Sequence, residues 1–127
     1  MQGDGLDIEV ETVPLLLLAS SLMGTKVQNS RGENLGTIQD VVLDRQRGRI
    51  AYAVLSSGDL LGLGDRRLAI PWQTLTLDPS RGLILDLGRE ALENAPTLDG
   101  GDSLEMDSEE LREIYIYYGH SPYWEGP

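Results

Sequence analysis

The sequence predicts a mainly β protein: a small β-barrel of five to six antiparallel strands, a short helix after the barrel, and a C-terminal amphipathic helix. Three observations predict it. Between Gly24 and Leu87, short apolar stretches are separated by Gly-, Pro- and Asp-containing turns, and short strands at such spacing indicate a small barrel. Arg49–Ser56 places Ile50, Tyr52 and Val54 on one side and Ala51, Ala53 and Leu55 on the other, so both of its faces must be covered. A helical stripe of Leu111, Ile114, Tyr115 and Tyr118, at i, i+3, i+4 and i+7, appears after Asp107.

The 127 residues suit one domain with tails. Phe is absent, so Leu, Ile and Val must build the core with two Trp and five Tyr. The formal charge of −11 is uneven. Asp4, Asp7, Glu9 and Glu11 make residues 1–19 acidic; residues 20–99 nearly balance; residues 100–127 set seven acids against Arg112. Phosphate backbones bind basic surfaces, so this balance excludes nucleic acid as an expected partner and disfavours anionic membranes. The absence of Cys excludes disulfides, thiolate metal sites and a Cys nucleophile. The apolar run Val13–Ala19 falls short of the roughly 20 residues that span a bilayer, so no membrane span is expected. Residues 1–12 are acidic where a signal peptide needs a basic region. A soluble, cytoplasmic protein is the expectation.

In chain order, residues 1–18 read as an acidic leader. Ser20 or Ser21 is expected to cap one helical turn that Gly24 ends. Thr25–Asn29 reads as a strand, Ser30–Glu33 as a turn, and Asn34–Asp44 as a long strand apolar on both faces. Gly36 within it marks a bend or bulge, which fits a small closed sheet better than a flat one. Arg49–Ser56 follows the turn Arg45–Gly48. Arg67–Ile70 and Trp72–Asp78 read as strands separated by Pro71, which belongs at an edge or corner because it cannot donate to a ladder. Gly82–Leu87 closes the set, and Gly88–Asn94 reads as a short helix stopped by Pro96. The phrase Leu-Asp-x-x-Arg-Gly at Leu43–Gly48 recurs at Leu77–Gly82; shared turn chemistry explains the echo without duplication. After the linker Thr97–Met106, Asp107 and Glu110 form a capping-box variant, acids crowd the first turns, and Gly119 ends the helix.

Three blocks resemble the PRC-barrel family: Gly32-x-x-Leu35-Gly36-x-Ile38-x-Asp40-Val41-Val42-Leu43-Asp44, Gly48-Arg49-Ile50-x-Tyr52-Ala53-Val54-Leu55-Ser56, and Gly62-Leu63-Gly64-Asp65 followed by Ala69-Ile70-Pro71-Trp72. Ala19-Ser20-x-Leu22-Met23-Gly24 is similar to the family's lead-in. The resemblance runs from about Ala19 to Asp99, which sets a barrel domain over 19–99 and leaves 100–127 as acidic linker, helix and aromatic tail. It implies a barrel that mediates protein contacts and no shared catalytic residues. The sequence departs from the pattern at Arg66-Arg67-Leu68, where the family commonly carries an aromatic.

No catalytic, cofactor-binding or metal-ligating residue is expected. Gly62-Leu63-Gly64 lacks the Lys-Ser/Thr of a P-loop and the third glycine of a dinucleotide fingerprint. His120 is the single histidine and has no companion ligands by spacing. Asp99, Asp102, Glu105 and Asp107 form an acidic linker that does not match an EF-hand loop. Arg45, Arg47 and Arg49 read as solvated turn charges, with the acidic helix as a further candidate partner; Trp72 reads as corner packing. Interface candidates are Leu60, Leu61 and Leu63 in the glycine-rich loop, and Ile116, Tyr117, Tyr123 and Trp124 in the C-terminal extension. The expected function is a non-enzymatic interaction or assembly module whose partner is another protein or a second copy as a homodimer. A small-ligand or metal-binding barrel is the alternative.

Overall fold

The computed structural model describes residues 16–58, 64–98 and 106–126. The expected Leu60, Leu61 and Leu63 patch, the acidic positions Asp99, Asp102 and Glu105, and the leader up to residue 15 lie outside the described residues. A single turn, α1 (Ala19–Leu22), leads into β1 (Lys26–Gln28), β2 (Asn34–Asp44), β3 (Arg49–Ser56), β4 (Arg67–Pro71), β5 (Leu75–Asp78) and β6 (Gly82–Leu85). Two helices follow, α2 (Arg89–Glu93) and α3 (Ser108–Tyr117). Among the described residues, no helix is long and apolar enough to cross a membrane.

The six strands make one sheet in the order β4-β3-β2-β1-β6-β5. A flat sheet of that order would hold its edges about 24 Å apart, at about 4.8 Å per strand. Yet β4 and β5 are joined by the 3₁₀ turn Trp72–Thr74 alone, and four Cα steps reach at most about 15 Å. The sheet therefore curls into a half-barrel, its two edges meeting at a corner instead of along a ladder. One pair departs from the all-antiparallel expectation: β1 and β6 run parallel, Val27 beside Leu83, because the chain crosses from β4 to β5 before returning to β1.

Three one-residue slips produce the curvature. Leu35 is extra opposite β1, Gln39 is extra opposite β3, and Ala51 is extra on β3 opposite the Val42–Leu43 step. Each bulge adds local twist and bends its strand. Gly36 is not only a bend residue: at φ +138°, a Cβ there would lie 2.3 Å from the Ser56 carbonyl oxygen. No side chain fits where these two strands approach.

Trp72–Asp78 is not one strand. Pro71 completes β4 opposite Tyr52, and the Thr74 hydroxyl donates to the Pro71 carbonyl at 2.5 Å, tightening Trp72–Thr74 into the 3₁₀ corner. Pro71 sits on an edge strand, as a residue without an N–H must. Thr97 bridges Leu68, and Leu98 N–H donates to the Arg67 carbonyl, so the chain after α2 covers part of that edge.

The expected serine cap of α1 is absent. Leu18 holds the cap position, and the Ser21 hydroxyl instead donates to the Leu18 carbonyl at 2.6 Å. The turn ends at Gly24, φ +81°, as its sequence required. Helix α3 follows its sequence closely: the Asp107 carboxylate accepts from Glu110 N–H at 2.8 Å.

The core joins Val27, Leu35, Ile38, Leu55, Leu68, Ile70, Leu83, Leu85 and Leu92 into one apolar cluster. Strand β3 is buried from Ala51 to Leu55 on both faces. Helix α3 supplies outer cover through Ile114 and Tyr115, and its C-cap residue through Tyr118. The departure at Arg66 has a structural role: its guanidinium donates to the Glu93 and Ala95 carbonyls at 2.6 and 3.2 Å, where the end of α2 leaves carbonyls free. The base of the loop that follows β3 is tied shut, with the Asp65 carboxylate accepting from the Ser56 hydroxyl and Gly58 N–H at 2.9 and 3.0 Å.

Candidate interaction groove

The Ala51 bulge is where the C-terminal extension is fastened. A residue left out of the ladder keeps a free carbonyl, and a buried free carbonyl costs about 1–3 kcal/mol. The hydroxyl of Tyr115 donates to it. Helix periodicity places Tyr115 on the inward stripe, and the ring is completely buried. Burial is the main reason its hydroxyl titrates well above the usual tyrosine range.

The chain then turns at Gly119, and the aromatic tail folds back onto the same hairpin. Tyr123 and Trp124 begin a 3₁₀ turn, Tyr123–Glu125. Ring centroids of Tyr115 and Trp124 lie 5.3 Å apart and those of Tyr123 and Trp124 5.1 Å apart, both edge-to-face. The Tyr123 hydroxyl donates to Asp44 Oδ2 at 2.7 Å, and the Arg49 guanidinium lies 3.8 Å from the Tyr123 ring centroid. Arg112 Nε meets Glu125 at 2.8 Å and ties the tail to α3. Burial, then the Asp44 bond, push the Tyr123 hydroxyl up to about 12. The same bond, followed by Arg47 N–H, holds the Asp44 carboxyl below its usual range.

Between this tail and the β2–β3 hairpin a groove of about 310 Å³ remains open. Val42 and Tyr52 form its sheet wall, and Met106 and Leu111 its helix wall. Tyr123 and Trp124 close one end; Asp44, Gln46, Arg47, Asp107 and Ser108 provide the polar positions. A second cleft, of about 300 Å³, lies at Asn29–Arg31 and Asp86–Gly88. Its hydrogen-bonding groups are engaged: Asn29 Nδ2 donates to Glu33 and to the Leu87 carbonyl, and the Ser30 hydroxyl donates to Asp86.

The structure distributes the sequence-predicted interface residues among separate surroundings. Tyr123 and Trp124 are half-buried against their own chain and wall the groove. Ile116 and Tyr117 lie on exposed parts of α3, and the Tyr117 hydroxyl donates to the Ala91 carbonyl. The hairpin arginines are not joined to the acidic helix by ion pairs. Arg47 meets Asp44 of its own turn at 3.4 Å, and Arg49 covers Tyr123. Trp72 packs at the corner against the core. Among the described residues, no group of three His, Cys, Asp or Glu side chains is arranged to hold a metal ion.

Sequence reasoning missed Val42, Tyr52, Met106 and Leu111 as groove walls, and it missed Asn29 as a buried polar residue. Asn29 Oδ1 accepts from Arg31 and Glu33 N–H at 3.1 and 3.0 Å, shaping the β1–β2 turn. An asparagine before Ser-Arg-Gly is the signal that could have found it. The family model described as PRC-barrel domain matches residues 16–90. No curated protein matches the chain.

Proposed function

The chain belongs to the PRC-barrel domain family, and from that premise we propose that it is a non-enzymatic protein-interaction module of the cytoplasm. The observation that carries the reading is an apolar surface left open at the start of the domain: Leu16 and Leu18 are 89% and 75% exposed, directly before α1. Consecutive exposed large aliphatics mark protein contacts. Ile116 and Tyr117 add apolar area on α3.

Three hydrogen-bonded carboxylates fit a non-catalytic role. Asp44, Asp78 and Glu33 are held below their usual range chiefly by hydrogen bonds, Asp44 from Tyr123, Asp78 from Ser80 and Glu33 from Asn29. A general acid or base at neutral pH needs its pKa shifted the other way. A small-ligand role is the second reading, favoured by the groove volume of about 310 Å³, at the lower end of ligand pockets.

Light scattering and affinity capture on the full chain and on a Leu16→Ser/Leu18→Ser variant test the module reading. The native protein is expected to self-associate or to retain a stoichiometric protein, and the folded variant to lose that association. Identical behaviour of the two proteins overturns the reading. A melting-temperature shift with small molecules but no association would move the groove to the ligand reading.

A further inference from the structure

The tail after Gly119 covers the β2–β3 hairpin with side chains alone. Among the described residues its backbone hydrogen bonds stay within α3 and the tail: His120 N–H donates to the Tyr115 carbonyl at 3.0 Å, and Glu125 N–H to the Pro122 carbonyl at 3.2 Å. Tyr123 and Trp124 are only half-buried. The Arg112–Glu125 pair is exposed on both sides, so water and salt weaken it. Gly119, at φ +82°, is the joint where this segment leaves α3. A segment held without a backbone ladder belongs to the low-stability end of a fold.

The groups that receive the tail are held in place without it. The N–H groups of Gln46 and Arg47 set the Asp44 carboxylate, and the Ala51 carbonyl fastens Tyr115. Arg49 is carried by β3 and Arg112 by α3. Together they offer an acceptor for a phenol, a guanidinium for a ring face, an aromatic neighbour for an indole and a base for a carboxylate. The open groove borders Tyr123 and Trp124 directly, so an incoming chain has room beside the rings it must replace. We propose that this surface is a docking site for a partner-protein segment bearing two consecutive aromatics followed by an acid, and that the chain's own Tyr123-Trp124-Glu125 fills it as a displaceable strap. The four contacts that the tail already makes specify the occupant. The proposal rests on the interaction-module reading and adds the chemistry of the partner. Because the strap is tethered, it competes at an effective concentration of about millimolar, which excludes weak partners.

A fluorescein-labelled Ser-Pro-Tyr-Trp-Glu-Gly peptide, the strap's own sequence, tests the proposal by anisotropy against full-length protein. Tyr123→Ala/Trp124→Ala opens the strap and is expected to bind the peptide at least about tenfold more tightly than the native chain, with an unchanged circular dichroism spectrum. A Ser-Pro-Ser-Ser-Glu-Gly peptide should bind the opened variant at least about tenfold more weakly, and adding Arg49→Ala to that variant should weaken the Tyr-Trp peptide about threefold. The native protein gives a second readout that needs no variant. Excess unlabelled Tyr-Trp peptide should shift the indole N–H resonance of Trp124 and leave that of Trp72, at the far corner, in place. Equal peptide binding by native and opened proteins, equal binding of the Ser-Ser peptide, no binding to the folded opened variant, or a Trp124 resonance that stays fixed or moves only together with Trp72 each overturns the proposal. Failure of the peptide with association through Leu16 and Leu18 intact removes this inference alone; failure of both removes the module reading with it.

Discussion

The hairpins β2–β3 and β5–β6 start from the same phrase, Leu-Asp-x-x-Arg-Gly, and acquire different surroundings. In both turns the Asp carboxylate accepts from the second and third following N–H groups: Asp44 from Gln46 and Arg47, Asp78 from Ser80 and Arg81. In both a glycine in the left-handed region resumes the strand, Gly48 at φ +64° and Gly82 at φ +85°. The leucines before the turns are likewise exposed. Beyond that the hairpins diverge. Asp44 pairs across to Arg49 and Asp78 to Gly82, so the second turn is one residue tighter. The first hairpin carries the Ala51 bulge, filled by Tyr115, and receives the aromatic tail; β5–β6 runs without a slip. The two arginines part as well: Arg47 folds onto its own Asp44, whereas Arg81 reaches the Asn29 carbonyl at 3.0 Å. Turn chemistry repeats wherever its residues repeat. The surroundings of a turn depend on a distant part of the chain.

Removing the clasp should break the contrast most strongly. Tyr115→Ala deletes a fully buried ring and leaves the Ala51 carbonyl unfilled, so we expect a loss of about 3–5 kcal/mol in chemical denaturation. Tyr115→Phe keeps the ring and removes the hydroxyl alone, and should cost about 1–3 kcal/mol. Losses in Tyr115→Ala no larger than in an exposed substitution such as Arg45→Ala would sink the idea that the bulge needs its clasp.

The turn glycines sharpen the likeness. Both need φ > 0, so alanine at either should cost about 1 kcal/mol from backbone strain. An added Cβ at Gly48 meets open space, but at Gly82 it lies 3.4 Å from the Lys26 carbonyl oxygen. Gly82→Ala should therefore lower the melting temperature more than Gly48→Ala, and the reverse order would contradict this packing.

The carboxylates give a pH-resolved version of the comparison. Folded pKa values below the unfolded ones mean that Asp44 and Asp78 contribute stability above the unfolded carboxyl pKa, and that this stability is lost as pH falls through the folded value. Tyr123→Phe removes the largest cause for Asp44 and none for Asp78. In an NMR carboxyl titration, Asp44 should move up toward its ordinary value and Asp78 should stay. At the alkaline end the sign reverses: the raised Tyr123 contributes stability that is complete below about 10 and is lost as pH rises through about 12. Tyr123→Phe should blunt that alkaline loss.

The smallest expected effect falls on the same helix. Tyr118 is buried like Tyr115, but its hydroxyl has no hydrogen-bond partner among the described residues. Tyr118→Phe removes a group that was desolvated without compensation, so stability should change by less than about 0.5 kcal/mol or rise. A loss as large as that of Tyr115→Phe would show that the clasp is not what distinguishes the two tyrosines.

Much of the barrel was legible because its cues are local. Strands β2 and β3 follow from alternating or continuous apolar runs between glycine turns, and α3 follows from its stripe, its Asp107 cap and Gly119. The break at Trp72 was not legible, because Trp-Gln-Thr-Leu fits an extended run until Thr74 bonds back to Pro71. The parallel β1–β6 pair was hidden too, since strand neighbours distant in sequence leave no local mark. Of the groove, Tyr123 and Trp124 showed as aromatic excess. Val42, Met106 and Leu111 read as ordinary core, because only an inter-element gap makes them a wall.

The sequence by itself determined the Asp-Gly turns, the Asp107-capped helix, most of the strand segments and the acidity of the ends, since each depends on interactions spanning a few residues. The tertiary structure decided the curl of the sheet, the slip at Ala51 and the side of the sheet on which the aromatic tail lands. Those depend on loop closure and on carbonyls left over by long-range pairing. The echoed phrase could specify the turn twice, but only a tyrosine 64 residues from Ala51 could decide which hairpin would be clasped.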